Sequence, residues 1–265
     1  MLPPGHDEIH LWLTDDRTIR DPTLLDAYHQ LLNAEERAQQ QRFHFEKDRH
    51  RYLVTRALTR SVLSRYAPVA AQDWHFRKLE HGRPQITNPE AADLTFNLTH
   101  TTGLIALGIT RGGELGIELG IDAENIVERD APLDIAPRYF SARETADLRA
   151  LPAAAQAERF FHDWTLKESY IKARSQGLSL PLDQFTFSYA DDHSIAIDFD
   201  PRLADTPEKW QFWLLRPTRE HLLAICASRP PAPRCHQLHL RQIIPLAQAP
   251  AETLTVTTLR RSNAI

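Results

Sequence analysis

Two carboxylates near the middle of the chain are spaced to bind a divalent cation. If residues 116–124 form a strand, alternation places Asp122 and Glu124 on one face, about 6.6 Å apart along the strand, together with Gly116 and Gly120. The glycines are expected to leave room beside the acids for a bulky ligand. Oxygen ligands in an open position suit Mg²⁺, which keeps water and substrate phosphate in its remaining sites. The alternative is a solvent-facing side of an antiparallel strand that carries ordinary acids.

A third carboxylate lies in a long helix that is predicted over residues 153–175. Glu168 falls at helical spacing on the same face as three apolar residues, Phe160, Trp164 and Ile171. A carboxylate on an apolar face needs a positive partner, because burying its charge unpaired is very costly. The partner is either a metal ion or Lys172, one turn further along the helix. A simple pair of Glu168 and Lys172 would explain the lysine but not the position of the acid among aromatic side chains.

Two polar turns carry groups that can contact phosphate. In residues 96–103 a predicted strand ends in a turn from Thr99 to Gly103, which contains hydroxyls and the imidazole of His100. Such turns present backbone N–H groups and small donors to phosphate oxygens. The alternative is an ordinary polar hairpin turn with a structural histidine. The second turn, at residues 82–84, is unspecific when it is considered alone.

The strongest charge asymmetry lies between Arg37 and Arg65. This segment holds eight Arg and Lys residues and two acids, whereas the whole chain has a net charge of −4. Asn33 and Glu36 form a predicted capping box, and a helical apolar stripe follows it, with Arg60 expected near the solvent side of that stripe. The basic segment either binds an anion or forms a solvated helix face.

The predicted elements indicate an α+β fold in two halves rather than one doubly wound sheet. Helices dominate the first third, and the sheet is expected to begin at Leu94, with strands at 94–98, 104–110 and 115–124. A short helix opened by Ser141 and Glu144 and the long helix come next, before further strands at 185–189, 195–199, 210–216 and 222–227. The predicted units are an N-terminal half, 1–114, a C-terminal half, 115–228, and a Pro-rich tail, 229–265. The tail is either partly disordered or laid along the surface.

The composition limits the class of protein. With 265 residues, of which 42% are hydrophobic and 25% charged, the chain can bury a full core, which excludes disorder for most of it. Its apolar runs are far shorter than the ~20 residues that span a bilayer, and no signal peptide is recognisable. Cys226 and Cys235 match neither a disulfide framework nor a metal knuckle, which favours a reducing cytoplasm. The negative net charge argues against nucleic acid as a partner.

Taken together, these motifs resemble the 4′-phosphopantetheinyl transferases of the larger, surfactin-synthetase type. The matching stretches are GRP at 82–84, FNLTH at 96–100, GIDAE at 120–124 and the run WTLKESYIK at 164–172. The combination of the last two stretches is specific, whereas each of the others is weak alone. Order and spacing agree from about Asn33 to Ala227, and the tail beyond Ser228 lies outside the resemblance.

The resemblance implies a fold and an activity. Two similar α+β halves would pack about a pseudo-twofold axis, with coenzyme A and a metal ion in the cleft between them. The enzyme would transfer the 4′-phosphopantetheine arm of coenzyme A to a serine of an apo acyl or peptidyl carrier protein and release adenosine 3′,5′-bisphosphate. It would act as a monomer, and neither nucleic acid nor a membrane is expected as a partner.

The resemblance also implies roles for individual residues. Asp122, Glu124 and Glu168 would hold Mg²⁺, or Mn²⁺, on the pyrophosphate of coenzyme A. Lys172 would neutralise charge on the bridging oxygen, and Glu168, directly or through a metal-bound water, would take the serine proton. The residues expected to contact the cofactor are Lys47, Arg51, Arg83, Pro84, Thr99, His100 and Lys172.

One departure from the family and two rival functions remain open. Some relatives carry lysines where this sequence has Glu36 and Gln39, so the 3′-phosphate of coenzyme A is assigned to the remaining bases and His100. One rival is an RNA-binding module that uses the basic segment, although the chain lacks an aromatic stacking motif. The other rival is a magnesium-dependent phosphohydrolase that acts on nucleotides.

Overall fold

The computed structural model describes residues 4–112, 117–230 and 235–262, without the side chain of Leu178. The helices are α1 Pro22–Leu31, α2 Ala34–Gln41, α3 Glu46–Leu63, α4 Ala136–Tyr139, α5 Ala142–Ala150 and α6 Ala153–Arg174. The strands are β1 Glu8–Thr14, β2 Phe76–Lys78, β3 Pro84–Ile86, β4 Leu94–Thr101, β5 Leu104–Arg111, β6 Leu119–Asn125, β7 Phe185–Ser188, β8 Ser194–Phe199, β9 Trp210–Thr218, β10 His221–Ser228, β11 Gln237–Gln242, β12 Glu252–Thr253 and β13 Thr257–Ser262. This mixture of helices and mainly antiparallel strands confirms the predicted α+β class.

Most of these strands belong to two sheets. The first sheet has the order β12-β11-β1-β5-β4, and the second has the order β6-β10-β9-β13-β8-β7. β4 pairs with β5, and β9 pairs with β10, as antiparallel hairpins. Two pairs are parallel, β1 with β11 and β13 with β8. β2 and β3 form a small hairpin of their own.

The edge strands β4 and β6 of the two sheets meet along a seam. Side-chain oxygens at alternate positions of β4 accept hydrogen bonds from alternate backbone N–H groups of β6, at 3.1, 3.1 and 3.2 Å. The three pairs are Asn97 with Ile121, Thr99 with Ala123, and Thr101 with Asn125. Because residues i, i+2 and i+4 of a strand share one face, a single polar face of β4 can hold an edge strand of the other sheet in fixed register. The seam therefore positions β4 side chains beside the acids of β6.

Helix α3 packs its apolar stripe against the first sheet, and one prediction for this helix is wrong. Val54, Leu58 and Val62 are buried at helical spacing, as predicted. Arg60, however, is not near solvent: its side chain is fully buried. Its guanidinium donates to Glu36 Oε2 at 2.9 Å and to the Trp74 carbonyl at 3.0 Å, so the buried charge is paired. The apolar stripe alone could not reveal this partner, which comes from α2.

Helix α6 lies directly on β6, and this contact overturns a second prediction. A Cβ atom placed on Gly120 would stand 2.0 Å from Ser169 O and 2.3 Å from Ala173 N. Glycine is therefore required for the close approach of the helix, and the space beside Gly120 is filled by helix backbone rather than left for a ligand. Both faces of β6 are covered, which also excludes a solvent-facing strand. Gly116 lies outside the described residues.

The N-terminal and C-terminal segments contribute strands that were not predicted. The sheet does not begin at Leu94, because β1 occupies the middle of the first sheet and β2 and β3 also precede Leu94. In the tail, β11 pairs with β1, while β13 lies between β9 and β8 in the second sheet. The predicted boundary at 114/115 falls outside the described residues.

Several local predictions are confirmed. Asn33 with Glu36 and Ser141 with Glu144 both form reciprocal capping boxes. The long helix and the strands β5 and β7–β10 lie within a few residues of their predicted positions. The turn predicted from Thr99 begins three residues later, at Thr102, because β4 continues to Thr101. Among the described residues, no helix is long and apolar enough to cross a membrane.

Candidate active site

Three acidic side chains and a lysine meet where α6 crosses β6. The helix runs antiparallel to the strand, so that Ala173 lies against Gly120, Lys172 reaches Asp122, and Trp164 lies near Glu124. Glu168 lies between the last two contacts on the same helix face. Glu124 and Glu168 both lie close enough to Asp122 for its charge to act on them.

Asp122 is the centre of this cluster. Its Oδ1 atom accepts hydrogen bonds from Lys172 Nζ at 2.7 Å and from Thr99 Oγ1 at 3.3 Å. Its Oδ2 atom is buried and has no hydrogen-bond partner among the described residues. A buried carboxylate oxygen without a partner is costly, so a positively charged ligand at Oδ2 would be stabilised. Lys172 forms its ion pair with Asp122, which disfavours the alternative of a simple Glu168–Lys172 pair.

The other two acids have raised pKa values. Burial raises the pKa of Glu124 to about 7, and the charge of Asp122 adds to this rise, against the opposing effects of Arg129 and Lys172. Burial, again with the charge of Asp122, raises the pKa of Glu168 to about 6, although Lys172 opposes this. The ionised forms of carboxylates that repel each other in this way are stabilised by a cation bound between them. Carboxylate oxygens are the kind of donor that a hard divalent cation such as Mg²⁺ prefers.

A pocket of about 440 Å³ opens beside the acids, and we call it the seam pocket. It is lined by Arg51, Leu98, Thr99, His100, Thr101, Thr102, Asp122, Ala123, Glu124, Arg129 and Lys172. Arg51 is fixed at its wall by Asp16 Oδ2, 3.2 Å away, and by Thr102 Oγ1, 3.3 Å away. Partial desolvation and the positive charges of Arg51 and Lys172 lower the pKa of His100. The pocket thus joins acids that can hold a cation to donors that can hold phosphate oxygens.

Other predicted cofactor contacts lie outside the seam pocket. Arg83 donates to Ser175 Oγ at 2.6 Å and to the Lys172 and Ala173 carbonyls at 3.4 Å, at the C-terminal end of α6. Arg83 and Pro84 line a neighbouring cavity of about 330 Å³. Lys47 is exposed and lies 5.9 Å from the centre of the Phe45 ring.

Two residues near the acids were not predicted from sequence. Arg129 lies 3.5 Å from Glu124 Oε2, and Asp16 holds both Arg51 and the Gly103 N–H, the latter at 3.1 Å. Both act on the pocket from loops or short turns outside the recognised motifs. The helix and strand periodicities that revealed the acids carry no information about such distant contacts.

Comparison with known proteins gives consistent matches along the chain. Residues 118–226 match the family model described as 4′-phosphopantetheinyl transferase superfamily, and residues 21–110 match 4′-phosphopantetheinyl transferase, N-terminal. The chain is 33% identical over 199 residues to a 4′-phosphopantetheinyl transferase of Bacillus subtilis, covering 75% of this chain and 83% of the relative. It is 31% identical to the 4′-phosphopantetheinyl transferase Sfp of Bacillus subtilis strain 168, covering 78% and 87%. It is also 32% identical to the 4′-phosphopantetheinyl transferase HetI of Nostoc sp. strain PCC 7120, covering 65% and 71%.

Proposed function

The chain belongs to the 4′-phosphopantetheinyl transferase superfamily, and we propose that the seam pocket is its active site. The reaction moves the 4′-phosphopantetheine moiety of coenzyme A to a serine of an apo carrier protein and releases adenosine 3′,5′-bisphosphate. One observation supports this assignment above all. The Oδ2 atom of Asp122 is buried without a hydrogen-bond partner among the described residues, and it lies beside two acids with raised pKa values. Phosphate-binding donors on the opposite wall add to it.

Asp122, Glu124 and Glu168 are the residues that would hold Mg²⁺, with Mn²⁺ as an alternative. When it is bound, Mg²⁺ neutralises negative charge on the pyrophosphate oxygens. Lys172 Nζ donates to Asp122 Oδ1 at 2.7 Å and to Thr99 Oγ1 at 3.4 Å, which leaves one N–H for the oxygen that bridges the two phosphates. Arg51 and His100 would orient the nucleotide phosphates from the other wall, and Thr99 fixes Asp122. Lys47, Arg83 and Pro84 stay proposed as contacts to the nucleotide end.

Glu168 is the proposed general base for the carrier serine. Burial raises its pKa to about 6 when no ion is bound, so Glu168 is mostly ionised at neutral pH and could accept the proton directly or through a metal-bound water. The serine O–H would lose its proton to Glu168 as its oxygen attacks the phosphorus on the pantetheine side. Lys172 would donate to the leaving oxygen of the nucleotide.

The wider setting is also a proposal. The active cleft would lie between two halves related by a pseudo-twofold axis, because each half presents a long helix, α3 or α6, and an antiparallel hairpin to the seam region. We propose a monomer that acts in the cytoplasm, where the free thiols of Cys226 and Cys235 would stay reduced. Neither nucleic acid nor a membrane is proposed as a partner.

The direct test is to incubate the protein with coenzyme A, Mg²⁺ and an apo acyl or peptidyl carrier protein and to weigh the carrier by mass spectrometry. We expect the carrier to gain one phosphopantetheine group. Release of adenosine bisphosphate without any gain in carrier mass would instead identify a phosphohydrolase. A panel of apo carriers would show which class of carrier is preferred.

The metal assignment has a separate test. Asp122→Ala and Glu168→Gln should lose nearly all transfer while keeping the circular dichroism spectrum of the wild type, and excess EDTA should stop the wild-type reaction. Full turnover by either variant, or by the wild type in EDTA, would contradict the assignment of these residues to a metal ion.

A further inference from the structure

A second group of potential metal ligands lies on the first sheet, outside the seam pocket. β1 and β11 pair in parallel, with His10 opposite His239, and Glu8 precedes His10 by two residues on the same strand face. His10 Nε2 lies 3.0 Å from Glu8 Oε2, and His239 Nε2 lies 3.6 Å from Glu8 Oε1. Ligand atoms of all three side chains lie within 4.8 Å of one another.

One of these atoms lacks a partner in the part of the chain that the structure describes. His239 Nε2 is buried and makes no hydrogen bond there, although it faces the Glu8 carboxylate. A buried imidazole nitrogen without a partner is costly, and a ligand at this position would satisfy it. The side chains of Glu8 and His239 are 33% and 39% exposed, so an ion here could keep solvent in its remaining coordination positions.

The other two ligands are held in place by neighbouring groups. Glu8 Oε2 accepts a hydrogen bond from the Gly5 N–H at 2.8 Å. His10 Nδ1 lies 2.8 Å from the Tyr66 hydroxyl, which accepts the Trp12 indole N–H at 2.7 Å. With an ion on Nε2, the proton of His10 would sit on Nδ1, and the Tyr66 oxygen has a second lone pair to accept it. Such outer hydrogen bonds fix the orientation of metal-binding histidines.

We propose that Glu8, His10 and His239 bind one first-row transition-metal dication, such as Zn²⁺, and that this ion ties the tail strand β11 to β1. Two imidazoles and one carboxylate suit Zn²⁺ and its neighbours, whereas Mg²⁺ prefers oxygen ligands alone. The observed spacings of 3.0 and 3.6 Å bracket the roughly 3.3 Å that separates two ligands of a tetrahedral zinc ion. The nearby positive charge of Arg241 acts on His10 and would oppose the binding of a cation there.

The test is calorimetric titration of the full-length protein with Zn²⁺ in saturating Mg²⁺, which occupies the all-oxygen site. We expect about one Zn²⁺ per chain for the wild type, an increase in Tm on binding, and two imidazole ligands in zinc X-ray absorption spectra. His239→Ala and Glu8→Gln should lose this binding and the increase in Tm. Their transferase activity in Mg²⁺ should equal that of the wild type, which shows that they fold.

Two matched variants separate this site from other zinc-binding positions. His75→Ala removes an exposed histidine elsewhere, and Asp122→Ala weakens the acidic cluster; both should bind Zn²⁺ like the wild type. The proposal is overturned if the wild type binds no Zn²⁺ under these conditions. It is equally overturned if folded His239→Ala binds Zn²⁺ with the stoichiometry and affinity of the wild type.

Discussion

Lys172 is the residue whose replacement should affect catalysis most selectively. Its ammonium group is part-exposed and contacts Asp122 at the edge of the seam pocket. We expect Lys172→Met to lower kcat about 10- to 100-fold, because one charge-assisted hydrogen bond is worth roughly 1.5–3 kcal/mol. Steady-state kinetics with a carrier protein measures the effect. Lys209→Met, which removes an exposed lysine paired with Glu118, is the control and should leave kcat unchanged.

Lys167 lies only five residues away on α6, and its replacement should affect the stability of the fold rather than catalysis. Its fully buried ammonium group donates to the Leu182 and Phe185 carbonyls at 2.7 and 2.6 Å and pairs with Glu144 Oε2 at 2.8 Å. Lys167→Met leaves the Glu144 charge buried, so we expect the free energy of unfolding to fall by about 3–5 kcal/mol. Urea denaturation measures this loss. A loss below about 1 kcal/mol would contradict the structural role of Lys167.

The 3′-phosphate of coenzyme A provides a third test at this scale. Arg51→Ala and His100→Ala should each raise KM for coenzyme A while changing KM for dephospho-coenzyme A little. Because Arg51 also holds Asp16, comparing the two cofactors cancels any effect of the substitution on the fold. Arg60 cannot serve as the control, since it is buried and paired; Arg149, exposed on α5, is the matched choice. An equal rise in KM for both cofactors would show that Arg51 and His100 do not bind the 3′-phosphate.

At the scale of elements, periodic segments were predictable and non-local pairings were not. Helix α6 and the hairpin strands carry regular apolar spacing, and the acids of β6 follow from simple alternation. β1 is missed because its position in the sheet depends on β5 and on β11, more than 220 residues later. The seam also escapes prediction: the alternation of Asn97, Thr99 and Thr101 is visible, but nothing local indicates that β6 is their partner. The need for glycine at position 120 is equally invisible in the local sequence, because it arises from the backbone of α6 packed against this residue.

The entry of the tail into the first sheet should make stability depend on pH. His236, directly before β11, is buried, and its Nε2 lies 2.8 Å from the Ser228 carbonyl. Burial lowers the pKa of His236, with a further decrease from Arg229 and an opposing effect of Asp7. A histidine whose pKa is lowered by folding binds protons more tightly in the unfolded state. The contribution of neutral His236 to the free energy of unfolding is therefore complete above pH 6.5, roughly the ordinary histidine pKa. It is lost as the pH falls towards the lowered pKa of the folded state.

The measurement is the free energy of unfolding by urea from about pH 7.5 to 5.5 for the wild type and for His236→Gln, whose side chain stays neutral. The buried acids of the seam pocket have raised pKa values and change stability in the opposite direction, so only the difference between the two proteins isolates His236. We expect the stability of the wild type relative to the variant to decline as the pH falls. Parallel curves for the two proteins would show that His236 does not titrate differently on folding.

At the scale of the whole molecule, the tail links the two sheets. β11 and β12 extend the first sheet, and β13 is an interior strand of the second sheet, between β9 and β8. The same C-terminal segment, from Gln237 to Ser262, thus contributes strands to both sheets, while the β4–β6 seam joins them at the proposed active site. The tail lies outside the motifs that indicated the function, and its role in the fold could not be derived from them.

The site is assembled from one chain, which leads to the final prediction. Thr99 comes from the first sheet, Asp122 from the second sheet and Lys172 from α6, and they contact one another within a single molecule. We therefore expect a monomer in size-exclusion chromatography with light scattering. Mixing Asp122→Ala with Glu168→Gln should restore no transferase activity, because no chain in the mixture carries a complete acidic cluster. A dimer whose activity returns on mixing would mean that the working site is shared between two chains.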